Sequence, residues 1–109
     1  MRTLFFYVNR QISQPYRYDE IKDLVAGTEG YIQMKFDFSS DWKGCKKAVG
    51  FFSLDGAELT PRALDDENCC LIPKDALDYH EFSFVVYGKR DGYSIKTKPF
   101  KITQYGGKK

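Results

Sequence analysis

Few side chains in this sequence are of the types that catalysis or metal binding requires. His80 is the single histidine, and the three cysteines, Cys45, Cys69 and Cys70, form no C-x-x-C pair and no cysteine–histidine pair at metal-ligand spacing. No glycine-rich phosphate loop, G-x-S-x-G motif or H-E-x-x-H motif occurs. The sequence therefore predicts a protein that is not an enzyme and that has no cofactor and no bound metal.

The cysteines do not predict a disulfide framework either. Their number is odd, and Cys69 and Cys70 are adjacent, so on a strand their side chains would point to opposite faces. We expect all three cysteines to be small buried apolar residues of a protein that stays in a reducing compartment.

The densest group of carboxylates is the segment Asp65-Asp66-Glu67-Asn68. Oxygen ligands of this kind bind hard cations such as calcium, but the spaced acids and the central glycine of an EF-hand loop are missing. The sequence favours an ordinary polar turn over a calcium site.

Charge is distributed unevenly along the chain. Residues 55–81 contain eight acidic and two basic side chains, a net charge of −6, whereas residues 88–109 contain seven basic side chains and one acidic, a net charge of +6. Two alternatives follow: solvated strand faces that keep the domain in solution, or a basic surface for an acidic partner. The candidate partner-binding residues are Lys89, Arg90, Lys96, Lys98 and Lys101.

Aromatic residues alternate with these bases, as in Tyr87-Gly88-Lys89-Arg90-Asp91-Gly92-Tyr93. Stacking aromatics and phosphate-neutralising cations are what a single-strand-binding surface uses. Because any half-exposed hairpin shows a similar alternation, nucleic-acid binding is kept as a third hypothesis behind two kinds of protein binding.

The elements that would position these residues are mostly strands. In the most regular segment Ile32, Met34, Phe36 and Phe38 alternate with polar residues, which predicts a strand with one apolar face. The pattern stops at Ser39-Ser40-Asp41-Trp42-Lys43-Gly44, which predicts a tight corner anchored by the tryptophan. Such a face implies that two sheets pack on each other.

Two hairpins are predicted around Asp-Gly turns. Residues 47–54 and 57–64 flank Asp55-Gly56, and residues 79–89 and 93–103 flank Arg90-Asp91-Gly92. Asp-Gly favours the left-handed positions of the primed turns that match strand twist. In the last strand the apolar phase changes between Ile95 and Phe100, so we expect a bulge or strand switch at Lys98-Pro99.

The remaining segments are shorter. Residues 3–8 predict a first strand, and residues 68–73 predict a short strand that is followed by one helical turn with Pro73 at its first position. Residues 18–26 are compatible with either a helix or an irregular strand.

Size and composition complete the prediction of the fold. A chain of 109 residues with 17% aromatic residues is one domain, residues 1–109, and favours β structure. We expect an all-β fold with a minor helical turn, an immunoglobulin-like antiparallel β-sandwich of seven or eight strands. No apolar run approaches the roughly 20 residues of a membrane span, and the apolar start is too short for a signal peptide.

The order of these landmarks resembles a β-sandwich module of phages that infect Gram-positive bacteria. This module is similar to the N-terminal domain of upper baseplate and related tail proteins, and the resemblance covers residues 30–104. The segments that carry it are FDFSSDWKG (36–44), AVGFF (48–52), CLIP (70–73), FVVYG (84–88) and a last strand that contains threonine.

The resemblance implies an attachment and assembly role, with Trp42, Gly44 and Pro73 as structural corner residues. The leading hypothesis is a non-enzymatic phage protein, a tail or baseplate component that binds other virion proteins or a second copy of itself. The alternative is a phage-encoded inhibitor of a bacterial defence system, such as an anti-CRISPR protein that binds a Cas nuclease. Both imply a protein of the host bacterial cytoplasm, which the first would incorporate into the virion.

Overall fold

The computed structural model describes residues 1–109, which form two packed β-sheets. The first sheet has the order β2-β1-β3-β6, with β1 (Arg2–Asn9), β2 (Ile12–Pro15), β3 (Ile32–Phe38) and β6 (Cys69–Leu71). The second has the order β5-β4-β7-β8, with β9 also paired to β7: β4 (Lys46–Ser53), β5 (Arg62–Ala63), β7 (Glu81–Arg90), β8 (Tyr93–Lys96) and β9 (Phe100–Thr103). The predicted all-β sandwich is confirmed, but it has nine strands instead of the predicted seven or eight, since the short strands β2 and β5 also form.

One strand pair departs from the antiparallel arrangement that the sequence predicts. Strands β1 and β3 are parallel, with Leu4 opposite Met34 and Phe6 opposite Phe36, whereas the other six pairs are antiparallel. The reason is the connection between them. β2 and the segment after it carry the chain back to the end where β1 begins, so β3 starts beside Arg2, whose N–H donates to the Tyr31 carbonyl.

The inner faces of the two sheets form one aromatic core. Phe6 of the first sheet lies 5.0 Å from Phe84 and 5.4 Å from Phe100 of the second sheet, both in edge-to-face arrangements between ring centroids. Edge-to-face pairs stabilise a core beyond the apolar area that they bury. The core contains 18 buried residues, so a single hydrophobic cluster holds the two sheets together.

Both predicted hairpins form, with differences in detail. Arg90 pairs with Tyr93 across the two-residue loop Asp91-Gly92. Only the glycine of each Asp-Gly pair has positive φ, 88° at Gly56 and 70° at Gly92, so neither turn has the two left-handed residues of a type I′ turn. In the first hairpin the second strand is shorter than the predicted residues 57–64, because only β5 (Arg62–Ala63) forms a strand there.

The bulge predicted at Lys98-Pro99 is confirmed by the register. β8 and β9 both pair with β7, with Tyr87 opposite Lys96 in one ladder and Phe84 opposite Phe100 in the other, so one extra residue lies between the ladders. The extra residue shifts the side-chain phase by one position. As a result, the apolar residues of both strands point into the core.

The connecting segments contain only short helices. The ambiguous segment contains a 3₁₀ helix at Tyr18–Ile21, and Arg2 fixes its end by donating to the Glu20 carbonyl at 2.9 Å and the Lys22 carbonyl at 2.6 Å. Helix α1 spans Lys74–Leu77, and Pro73 immediately precedes it rather than occupying its first turn. None of these helices reaches the length and apolar character that a membrane-spanning helix requires.

The tryptophan corner packs Trp42 into the core. Trp42, in the 3₁₀ helix Ser40–Trp42, is 0% exposed, and its Nε1–H donates to the Arg10 carbonyl at 2.7 Å. Its ring packs on Phe38 and against Gly88, where an added Cβ would lie 2.7 Å from Trp42 Cε3. Gly44, at φ 77°, turns the chain into β4 in a conformation that favours glycine.

We predict that Trp42→Ala lowers the free energy of unfolding by about 3–5 kcal/mol, because it removes a fully buried indole and leaves a cavity in the core. Urea denaturation followed by circular dichroism measures this, since the only tryptophan fluorophore is lost. Trp42→Phe is the matched control: it keeps most of the apolar volume but leaves the Arg10 carbonyl unpaired, and should cost about 1–3 kcal/mol. Equal stability of wild type and Trp42→Ala would contradict the assignment of Trp42 to the core.

Candidate functional site

Four of the five predicted partner-binding residues lie on the outer surface of the second sheet. Side chains of β7 alternate between core and solvent, and Lys89 is on the solvent side. Lys96 and Lys101 lie opposite Tyr87 and Ser83 of β7, which share that side. Lys98, in the bulge, is also exposed. The structure therefore brings Lys89, Lys96, Lys98 and Lys101 to one side of the molecule.

Arg90 is separated from these lysines and has a structural role. It follows the opposite phase of β7, and its guanidinium lies 4.0 Å from the centre of the Tyr93 ring. Its Nη1–H donates to the Lys43 carbonyl at 2.7 Å, while the Tyr93 hydroxyl donates to the Asp41 carbonyl at 2.8 Å. Arg90 thus holds the tryptophan corner against the β7–β8 hairpin, and we leave it out of the candidate surface.

A groove of about 780 Å³ runs beside the lysines, and we call it the basic groove. Three of its apolar residues are well exposed: Ile12 at 48%, Leu54 at 65% and Tyr87 at 38%. Its lining residues are Gln11, Ile12, Phe52, Ser53, Leu54, Gly56, Ser83, Val85, Tyr87, Lys96, Thr97, Lys98 and Pro99. An apolar surface beside positive charge suits an acidic partner with apolar side chains.

Gly50 allows an aromatic pair to lie flat on this surface. A Cβ at Gly50 would lie 2.9 Å from Tyr87 Cε2 and 3.3 Å from Phe52 Cε2, so both rings cover the place where a larger residue would stand. Ala48, Gly50 and Phe52 share the outward phase of β4, next to Tyr87 and Val85 of β7. The small residue therefore positions the aromatic wall of the basic groove.

The lysine rim of the groove is fixed by hydrogen bonds at the bulge. Thr97 N–H donates to the Val86 carbonyl at 3.0 Å, and the Thr97 hydroxyl oxygen accepts from Val86 N–H at 3.0 Å. Lys98 N–H donates to the Gln11 carbonyl at 2.8 Å, and Gln11 Nε2 donates to the Lys96 carbonyl at 3.2 Å. The turn between β1 and β2 therefore holds the backbone on which Lys96 and Lys98 stand.

Sequence reasoning missed Ile12, Phe52 and Leu54 as members of this surface. They belong to segments far from the basic hairpin, and single apolar residues beside turns give no recognisable pattern. One available signal was the outward phase of Ala48, Gly50 and Phe52, because an apolar outer face on a strand indicates a covered or functional surface.

The acidic turn at residues 65–68 is a polar turn. Asp65 Oδ1 accepts from the N–H groups of Glu67 and Cys69, both at 2.9 Å, which is the bonding pattern of an aspartate that stabilises its own turn. No group of three or more histidine, cysteine, aspartate or glutamate side chains is placed to hold a metal ion. The carboxylate of Asp65 is therefore engaged in hydrogen bonds to backbone N–H groups of its own turn.

The three cysteines are free thiols in buried positions. Cys69 pairs with Lys35 and Cys70 with Met34, so they point to opposite faces as the sequence predicts. Burial raises the pKa of the Cys70 thiol to about 12 and also raises the pKa of Cys69. Both thiols therefore stay protonated near neutral pH and are poor nucleophiles.

The outer face of the first sheet is a second exposed aromatic surface, but its charges are mixed. Phe5, Tyr7 and Tyr16 lie on it beside Lys35 and Asp37. The Tyr16 hydroxyl donates to Asp37 Oδ2 at 2.6 Å, and this bond to a carboxylate raises the pKa of Tyr16 to about 12. Because its charged residues are of both signs, this surface is the weaker candidate for binding a charged partner.

Comparisons of the chain with protein-family models, with curated proteins and with solved structures found no match.

We predict that one tyrosine ionises with a pKa of about 12 instead of 10, because ionising Tyr16 breaks the hydrogen bond that its hydroxyl donates to Asp37 Oδ2 at 2.6 Å and places a second negative charge beside that carboxylate. The folded-state pKa is raised, so this bond stabilises the protein fully below pH 10 and its contribution is lost as pH rises through about 12. Absorbance titration of tyrosinate measures the ionisation. Tyr16→Phe and Asp37→Asn should each abolish the late phase.

Tyr105→Phe is the matched control for this titration. Tyr105 is 80% exposed and its hydroxyl has no carboxylate partner, so its removal should leave the late phase intact. A late phase that survives Tyr16→Phe would contradict the assignment.

Proposed function

We propose that this protein is a non-enzymatic binding module that recognises an acidic protein surface through the basic groove. The observation that carries the proposal is the combination, on one fixed sheet face, of exposed apolar side chains with the lysines of the groove rim. Apolar anchors at the centre of an interface provide most of its affinity, while charges at the rim steer association and exclude wrong partners.

The placement of rigid and exposed residues supports this proposal. Tyr87 lies across Gly50 on a central strand, so little conformational freedom is lost when a partner covers it. Lys96 and Lys98 are exposed, and no carboxylate of the chain lies within ion-pair distance of either. Their charge is therefore available to a partner.

Our leading proposal for the biological setting is a phage tail or baseplate component. It rests on the resemblance of the landmarks to the tail-protein module and on the structural part that Trp42, Gly44 and Pro73 play at the corners of the sandwich. A small sandwich with exposed apolar residues and lysines on one sheet face suits an assembly element that contacts neighbouring virion proteins.

The alternative is a phage-encoded inhibitor of a bacterial defence nuclease. The observation that favours it is the opposite charge of the two parts of the chain, −6 over residues 55–81 and +6 over residues 88–109. A compact domain that carries both an acidic and a basic segment can compete for charged surfaces of a nucleic-acid enzyme.

The two settings differ in where the protein is found. For a tail component, quantitative mass spectrometry of purified particles should find the chain at a fixed copy number per particle. Its presence in infected cells but not in particles would contradict the leading proposal. Inhibition of target-DNA cleavage by a purified Cas nuclease would then support the alternative.

We predict that the double variant Lys96→Glu/Lys98→Glu folds normally and associates with its partner about tenfold or more slowly at low salt, with the difference shrinking at high salt. Surface plasmon resonance with the neighbouring virion protein, or with the nuclease, measures this. Lys35→Glu/Lys43→Glu makes the same charge change away from the groove and is the matched control. Equal association rates for the two double variants would contradict the proposal.

Tyr87→Ala tests the apolar part of the same surface. Loss of a central anchor should weaken binding by about 2 kcal/mol or more, mainly by faster dissociation, while rim charges act mainly on association. Binding to single-stranded DNA, with a salt dependence that weakens by about one unit in log–log slope for each lysine replaced, would instead identify a nucleic-acid surface.

A further inference from the structure

The strand β9 has one free edge. Its residues pair with β7 on one side, with Phe100 opposite Phe84 and Ile102 opposite Phe82. Backbone groups in an antiparallel ladder alternate in direction from one residue to the next. Gln104 N–H donates to the His80 carbonyl at 2.7 Å on the β7 side, so the even residues of this segment point to β7 and the odd residues point away.

The residues on either side of the gap already use their outward backbone groups. Tyr105 N–H donates to the Leu24 carbonyl at 2.7 Å, and the Tyr105 carbonyl accepts from Ala26 N–H at 3.0 Å. Beyond the bulge, Lys98 N–H donates to the Gln11 carbonyl. Between these points, the N–H and C=O groups of Lys101 and Thr103 receive no hydrogen bond from outside the β7–β9 ladder.

The chain itself is held away from this gap. Asp23 has φ 59°, and this left-handed residue turns the chain off β9 immediately before Leu24. The Arg2 guanidinium holds the carbonyls of Glu20 and Lys22 toward β1. The result is a groove of about 840 Å³ along the free edge, which we call the edge groove and which shares no lining residue with the basic groove.

The two sides of the edge groove differ in chemistry. Toward the core it is lined by Ile21, Phe100 and Ile102, which are partly or fully buried. On the solvent side it is lined by Lys22, Asp23, Lys101 and Lys109. Lys101 Nζ lies 3.7 Å from Glu81 Oε1, so Lys22 and Lys109 are the cations of this side that have no carboxylate of the chain within ion-pair distance. A strand placed on this edge would point alternate side chains toward the apolar side and toward the lysines.

We propose that β9 is an acceptor for strand addition by an extended segment of a partner protein in which acidic and apolar residues alternate. The four outward backbone groups of Lys101 and Thr103 would pair with the segment. Its apolar side chains would pack on the partly buried Ile21 and Phe100, and its carboxylates would lie beside Lys22 and Lys101. An unpaired strand edge is a ready template for this mode of recognition. The proposal does not depend on the basic groove.

The test uses the full chain and the peptide acetyl-(Glu-Val)₃-amide, with amide hydrogen exchange and ¹⁵N NMR as the measurement. We expect saturable shifts and slowed exchange at the Lys101 and Thr103 amides, and none around Lys96 and Lys98. The peptide acetyl-(Lys-Val)₃-amide should not bind, because its charges match those of the rim. A peptide N-methylated on alternate residues, without the donors that strand pairing needs, should lose binding.

A pair of variants tests the backbone directly. Thr103→Pro removes an N–H that points away from β7, and proline is tolerated on a free strand edge, so the protein should fold and lose peptide binding. Thr103→Val keeps the N–H and should bind as wild type does. If Thr103→Pro does not fold, the N-methylated peptide on the wild-type protein decides the same question.

The proposal would be overturned if the N-methylated peptide bound as well as the unmodified one, or if the acidic and the basic peptide bound equally well. It would also be overturned if the acidic peptide caused no shift at Lys101 and Thr103, or if its shifts were confined to the basic groove. A concentration-dependent dimer of the wild-type protein that the acidic peptide dissociates would assign the edge to a second copy of this chain instead.

Discussion

The burial of Trp42 between the two sheets is the contact on which the remaining architecture depends. The indole packs on Phe38 of the first sheet and against Gly88 of the second, and its N–H donates to the Arg10 carbonyl in the turn between β1 and β2. One side chain thus joins both layers and a turn. A residue larger than glycine at position 88 would collide with the ring. The indole therefore sets how closely β7 can approach it at this position.

Because this end of the sandwich is fixed, the surfaces built on it are rigid as well. The same turn that accepts the indole hydrogen bond continues to Gln11, which binds the backbone at Lys96 and Lys98. The core therefore positions the backbone that carries the lysines of the basic groove. Preorganisation of this kind reduces the entropy that is lost when a partner binds.

The sandwich leaves its sheet edges unequally protected. The edges at β5 and β6 lie close together, where Asp65 N–H donates to the Cys69 carbonyl. The edge at β9 is covered at both ends by the chain's own segments but stays open at Lys101 and Thr103. Native proteins usually block such edges, and this short open stretch is the feature on which the proposed strand addition depends.

The sequence alone determined the elements whose signals are local. Alternation from Ile32 to Phe38 predicts a buried strand face, and Asp91-Gly92 predicts a hairpin, because side-chain period and turn preference act within a few residues. The phase change around Pro99 likewise predicts the bulge. Only the tertiary structure decided the parallel pairing of β1 with β3, the structural use of Arg90 away from the basic groove, and the placement of Ile12 and Leu54 along one groove. These depend on contacts between segments far apart in the chain, which no local pattern encodes.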